Sequence, residues 1–156
     1  MRVLKVLKWL VLVVVIVFVV IQFKRPARTN PPVNEAQTIY AQTQMTPQVS
    51  AILERSCRDC HSNKTVWPWY TNVSPISWFI VDHVNEGRRN LNISEWTQYD
   101  KNRQGRKLQQ ICDQVTDGSM PLSTYTPLHR GSKPSPEDVK TLCAWTEAER
   151  ARLDGK

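Results

Sequence analysis

Glycine is scarce in this chain, five residues in 156, and no Gly-rich loop leads into a helix in the way a phosphate cradle requires. Convincing alternation of polar and apolar residues is missing too, which argues against a sheet-based fold. No segment repeats, so nothing suggests a solenoid. Acidic residues are absent from the first 28 positions, where Arg2, Lys5, Lys8, Lys24, Arg25 and Arg28 stand. These six carry most of the formal net charge of +7, because the remaining 15 Lys and Arg face 14 Asp and Glu, a balance of +1. A near-neutral body with no basic stripe and no base-reading motif gives nucleic acid no footing as a partner.

What is present begins with a hydrophobic run. Trp9 to Phe23 is apolar throughout except for Gln22, and Val3 to Phe23 is long enough to span a bilayer if Lys5 and Lys8 snorkel to its surface. The stretch from Ile21 to Pro26 lacks the small-residue pattern of a signal-peptide cleavage site. Residues 3–23 are therefore expected to be an uncleaved transmembrane anchor. Basic residues flank it on both sides, so charge asymmetry orients it only weakly. Residues 24–45, rich in Pro, Asn, Thr and Gln, read as a flexible tether. Residues 46–156 suffice for one small domain with one core.

Cys57-Arg58-Asp59-Cys60-His61 is the chain's most informative stretch. Two thiols three positions apart with a histidine directly after them match the attachment pattern of c-type haem, in which both sulfurs form thioethers and the imidazole ligates iron. Two other chemistries use Cys-X-X-Cys. A redox dithiol of thioredoxin type should open a helix after a buried strand, yet the residues before Cys57 read as a helix with no β-branched run. A structural zinc site needs a second ligand pair at close spacing, and Cys112 and Cys143 are far from each other in sequence.

The expected fold is all-α. Thr46 as N-cap, Pro47 at the first helical position, and Val49, Ile52 and Leu53 predict a helix that delivers the cysteine motif. A second helix is predicted from Pro75 to about Asn85, stopped by Gly87, with Ile76, Phe79, Ile80, His83 and Val84 as its inner face. A third runs from about Arg106 to Thr116 on Leu108, Ile111, Cys112 and Val115, ending at Gly118. Ser135, Pro136 and Asp138 announce a fourth, with Val139, Leu142, Cys143 and Trp145 inward. Outside the cytoplasm Cys112 and Cys143 would either pair as a disulfide or remain separate buried thiols.

A helix before the motif, Met120-Pro121 after a Gly-terminated helix, and a closing amphipathic helix together resemble the class I cytochrome c plan. That resemblance implies Met120 as the sixth iron ligand, a neutral thioether that favours ferrous iron and raises the potential; the other reading of Met120 is a core gap-filler. The run Cys57 to Tyr70 is also similar to that of a bacterial haem-binding domain family, Cys-X-X-Cys-His-Ser-Asn-X-Thr-X-Trp-Pro-Trp-Tyr. The similarity continues through Ser74 to Trp78, His83-Val84, Glu86-Gly87-Arg88, Asn92, Trp96, Met120-Pro121, Tyr125 and His129. It implies one covalently held haem c per chain and, because such attachment happens outside the cytoplasm, a single-pass bacterial inner-membrane protein whose C-terminal domain faces the periplasm. Cys112 and Cys143 lie outside the shared motif.

His83 and His129 are the rivals to Met120 as sixth ligand; His83, the principal one, could ligate, bond a haem propionate or simply pack, while His129 reads as a surface or loop-stapling residue or a second candidate ligand. Arg88 and Arg89 are candidates for propionate pairing or a solvated face. Trp67, Pro68, Trp69 and Tyr70 would cover a porphyrin edge or pack in the core. The expected function is one-electron transfer with periplasmic or membrane redox proteins rather than catalysis. The alternatives are a peroxidase-type haem enzyme, which needs an open iron position and a distal acid–base group, and a redox or gas sensor module.

Overall fold

Three of the longer helices start where an oxygen side chain satisfies an otherwise unpaired backbone amide. In a computed structural model describing residues 2–155, Thr46 caps α3 (Pro47–Ser56) by accepting from Val49 N, and Asp100 caps α6 (Lys101–Thr116) by accepting from Arg103 N. Ser135 and Asp138 form a reciprocal capping box at the head of α7 (Pro136–Leu153). The others are α1 (Arg2–Ile21), the short α2 (Ile39–Gln42), the single turn α4 (Arg58–His61) and α5 (Ile76–Asn90), with 3-10 turns at Glu35–Gln37, Trp69–Asn72 and Ile93–Gln98. Among the described residues there is no strand, and the all-α expectation holds.

The core is where α3, α6 and α7 meet the turn at Ile93–Gln98. Val49, Ile52 and Leu53 pack with Ile93, Trp96, Leu108, Ile111, Val115, Leu142 and Trp145. α6 and α7 lie side by side, and Cys112 and Cys143 form a disulfide between them. α1 is long and apolar enough to cross a membrane, and none of its side chains is buried by the rest of the chain.

Three local expectations are corrected. Residues 24–45, expected as a flexible tether, pack on the body instead. Ile39 is fully buried in the core, the Gln44 amide donates to the buried Glu149 carboxylate (2.8 Å), and Asn30 donates to the Thr65 carbonyl (2.9 Å). Thr38, capping α2 from within a polar stretch, makes this possible. The second predicted helix does not stop at Gly87 but runs to Asn90, because Gly87 serves close packing there rather than termination. Its inner face is Ser77, Val81, Val84 and Gly87, while Ile76 and Phe79 point outward. α6 also starts five residues earlier than its apolar period indicates, since Asp100 supplies a cap and Gly105 sits in open space.

Candidate haem-binding cavity

α3 ends at Cys57, whose amide bonds back to Leu53 and whose carbonyl accepts from the His61 amide (2.9 Å), so Cys57 joins two helices at an angle. The turn of α4 then carries Cys60 and His61 under α5. That approach requires a glycine: a Cβ on Gly87 would lie 2.6 Å from the Cys60 carbonyl oxygen. The polar residues after the motif fix it from the other side. Asn63 donates from its amide to Ser94 Oγ (3.0 Å) and from its side chain to Glu95 (3.0 Å), and its Oδ1 accepts from Asn92 (2.9 Å).

His61 Nδ1 sits 2.9 Å from the Gly87 carbonyl and 3.1 Å from the Leu91 carbonyl. Carbonyls only accept, so Nδ1 carries the proton. Burial lowers the His61 pKa despite those bonds, which favours the neutral ring. Nε2 is left with a lone pair, the state in which an imidazole binds a metal, with its other nitrogen anchored by backbone.

A cavity of about 420 Å³ opens beside this ring, within the roughly 300–1,000 Å³ of cofactor and ligand sites. Cys57, Cys60, His61, His83 and Met120 all line it, with Leu53, Leu91, Ile93, Ile111, Val115 and Leu122 as apolar wall. The structure thus brings every sequence-derived site residue and the rival His83 to one place. Both thiols are free. Burial, reinforced by Cys60, pushes the Cys57 thiol up to about 12, and burial followed by the Asp59 charge pushes Cys60 up to about 11. Neutral thiols on an apolar wall are the reverse of the depressed thiolate of a redox dithiol. The zinc alternative lacks its donors: Cys112 and Cys143 are bonded to each other, and among the described residues no three His, Cys, Asp or Glu side chains gather as a metal site needs.

His83 Nδ1 donates to the Phe79 carbonyl (2.7 Å). His129 lies off the cavity, stacked on Tyr125 at 3.7 Å, with Nδ1 on the Tyr125 carbonyl and Nε2 3.3 Å from the Tyr70 hydroxyl; it is a loop staple. Arg88 is not free for propionates, since its guanidinium donates to Ser62 and Thr29 carbonyls, Asn30 Oδ1 and Thr65 Oγ1. Trp67, Pro68, Trp69 and Tyr70 are likewise absent from the cavity wall, and Trp69 is 77% exposed.

Sequence reasoning passed over three wall residues. Tyr125 donates to Asp59 Oδ2 (2.8 Å), tying the loop after Met120 to the middle of the cysteine motif, and burial together with that bond raises its pKa and keeps it protonated. Gly87 supplies closeness and a carbonyl. Lys107, whose ammonium is made less basic by burial and by Arg103 and Arg106, puts a cation at the rim. Tyr125 and Gly87 stood in the family-like run, yet only the fold reveals what they touch.

A family model described as haem-binding domain matches residues 16–148, from within α1 to within α7. Comparison with curated proteins and with solved structures gave no match.

Proposed function

The chain belongs to the haem-binding domain family, and from that premise we propose that it is a membrane-anchored c-type monohaem electron carrier, with its body on the periplasmic side. The observation that carries the reading is the His61 ring, held by two backbone carbonyls through Nδ1, which leaves Nε2 free, on the wall of a cavity that two thiols and a thioether also line. When bound, haem supplies a one-electron couple whose exchange occurs through the ring edge.

The chain's own residues supply the rest. Cys57 and Cys60 would hold the group by thioether bonds, so that it could not be lost by dissociation. His61 would bind the iron through Nε2 and Met120 would supply its sulfur as a second ligand. A group held by two protein ligands would reorganise little and leave no position for oxygen or peroxide, which favours a carrier over a catalyst. The apolar wall excludes water, favouring the form of lower charge. The Cys112–Cys143 disulfide suits an oxidising compartment, in agreement with a periplasmic body.

His83 lines the same cavity and is the one observed group that would support a bis-histidine centre. Optical spectra of the full chain, matured with a haem-attachment system, separate these readings. We expect a low-spin spectrum with a long-wavelength sulfur-to-iron charge-transfer band that disappears in Met120→Ala and persists in His83→Ala. Loss of the low-spin state in His83→Ala instead moves the sixth ligand to His83. A high-spin wild type overturns the carrier in favour of an enzyme or sensor.

A further inference from the structure

α5 buries Ser77, Val81, Val84 and Gly87 and leaves larger apolar residues outward. Ile76 and Phe79 keep 47% and 49% of their surface and Trp69, in the turn just before the helix, keeps 77%. Scattered exposed apolar residues are ordinary. The segment that carries these three is bonded to the exit of α1. The Gln22 side chain, first after that helix, donates to the Ser74 carbonyl (3.0 Å) and accepts from the Ser74 amide (2.9 Å). The Lys24 carbonyl accepts from Trp78 Nε1 (2.6 Å) and Ser74 Oγ (3.3 Å), and Arg28 donates to Thr71 Oγ1 (3.2 Å).

These bonds set a height. A helix of 20 residues at 1.5 Å per residue is about 30 Å long, the thickness of the hydrocarbon layer. Gln22 therefore sits at the layer's edge when α1 spans it, and Ser74, clamped to Gln22, sits there too. Ile76 follows Ser74 by two residues, Phe79 by five, and Trp69 precedes it by five. Aromatic and branched apolar side chains at that depth, beside the basic pair Lys24 and Arg25, match what the boundary between acyl chains and anionic headgroups accommodates.

We propose that Trp69, Ile76 and Phe79 form a foot that inserts into the surface of the same bilayer α1 crosses. The inference rests on the reading of α1 as a membrane span. The foot and the span together fix the body against the lipid instead of leaving it at the end of a tether. Phe79 meets the His83 ring at 4.0 Å between centroids, and His83 lines the cavity, so the lipid-facing stripe of α5 ends at the cavity's rim.

The test uses the full haem-loaded chain in nanodiscs of phosphatidylcholine and phosphatidylglycerol doped with a lipid carrying a diazirine near the glycerol end of its acyl chain. After illumination and digestion, mass spectrometry locates the lipid adducts. We expect adducts on residues 2–23 and also on the tryptic peptide 65–88. The double variant W69S/I76S, both sites exposed, loses most of the adducts on 65–88 while keeping those on α1 and an unchanged haem spectrum. Adducts on α1 alone in the wild-type chain overturn the foot and leave the anchor standing. Cross-links between two chains through 65–88 overturn it in favour of a second copy. Absence of adducts from α1 as well overturns the anchor reading and the foot with it.

Discussion

Nδ1 of His61 faces two peptide oxygens, and neither can donate. One tautomer follows, and with it the direction of the free lone pair; no amount of sequence reading yields this, because both carbonyls belong to residues 26 and 30 positions away. The motif residues themselves were legible from their types and spacing. Gly87 was legible as a glycine but misread as a stop signal, since only the approach of the Cys60 backbone reveals why a side chain is excluded. Gly87→Ala is expected to cost about 1–3 kcal/mol, the range for overpacking, and to lower the fraction of chains holding haem. Gly105→Ala, with nothing within 4 Å of the new Cβ, should instead be neutral or gain up to about 1 kcal/mol of helix propensity. Urea unfolding of both variants checks the pair. Asp138 provides a pH prediction at the same scale. Arg55 at 2.7 Å and the Ser135 amide hold its pKa near 2, below the usual carboxylate value of about 3.9. A depressed folded-state pKa contributes stability above the unfolded value and loses it as pH falls, so this contribution should fade between about pH 4 and pH 2. Arg55→Met should flatten that part of the stability-against-pH curve, and added salt should weaken it in the wild type.

Among the elements, α3 and α7 could be anticipated from their local caps and α6 from its apolar period, though not from its cap at Asp100, which starts it a turn earlier. α5 could be located but not oriented. Its buried face includes Ser77 and Gly87, which serve closeness rather than hydrophobicity, so of the expected stripe Val84 and His83 face inward while Ile76 and Phe79 do not. α2 was hidden, being one turn of helix within a polar segment. Ile39→Ala tests its place: a core residue should lose about 2–5 kcal/mol when cut to alanine, whereas a tether residue would lose nothing measurable in the same denaturation experiment. The disulfide joins α6 to α7 across a sequence separation of 31 residues. Its removal in the double variant C112S/C143S should lower unfolding free energy by about 2–4 kcal/mol through freed unfolded-chain entropy. Neither cysteine lines the cavity, so the haem spectrum of that variant should match the wild type. A shifted spectrum would mean that the α6–α7 pairing also shapes the site.

Taken whole, the molecule is a near-neutral helical body bonded directly to the end of an apolar helix, with its cavity built from the junction of α3 and α4, the inner face of α5, α6 and the Met120 loop. Composition alone separated these parts, since the basic excess and the hydrophobic run both fall in the first 28 residues. It could not reveal that residues 22–45 bind the body back to the helix, because those contacts are made by ordinary polar side chains such as Gln22, Arg28 and Asn30. The proposed function stands on Cys57 and Cys60 holding haem covalently. Intact-mass measurement of the mature chain after denaturation and acid extraction reads that bond. We expect a mass increased by one haem that survives extraction in the wild type and is lost in the double variant C57S/C60S; an unmodified wild-type mass, with all haem in the extract, would rule covalent attachment out.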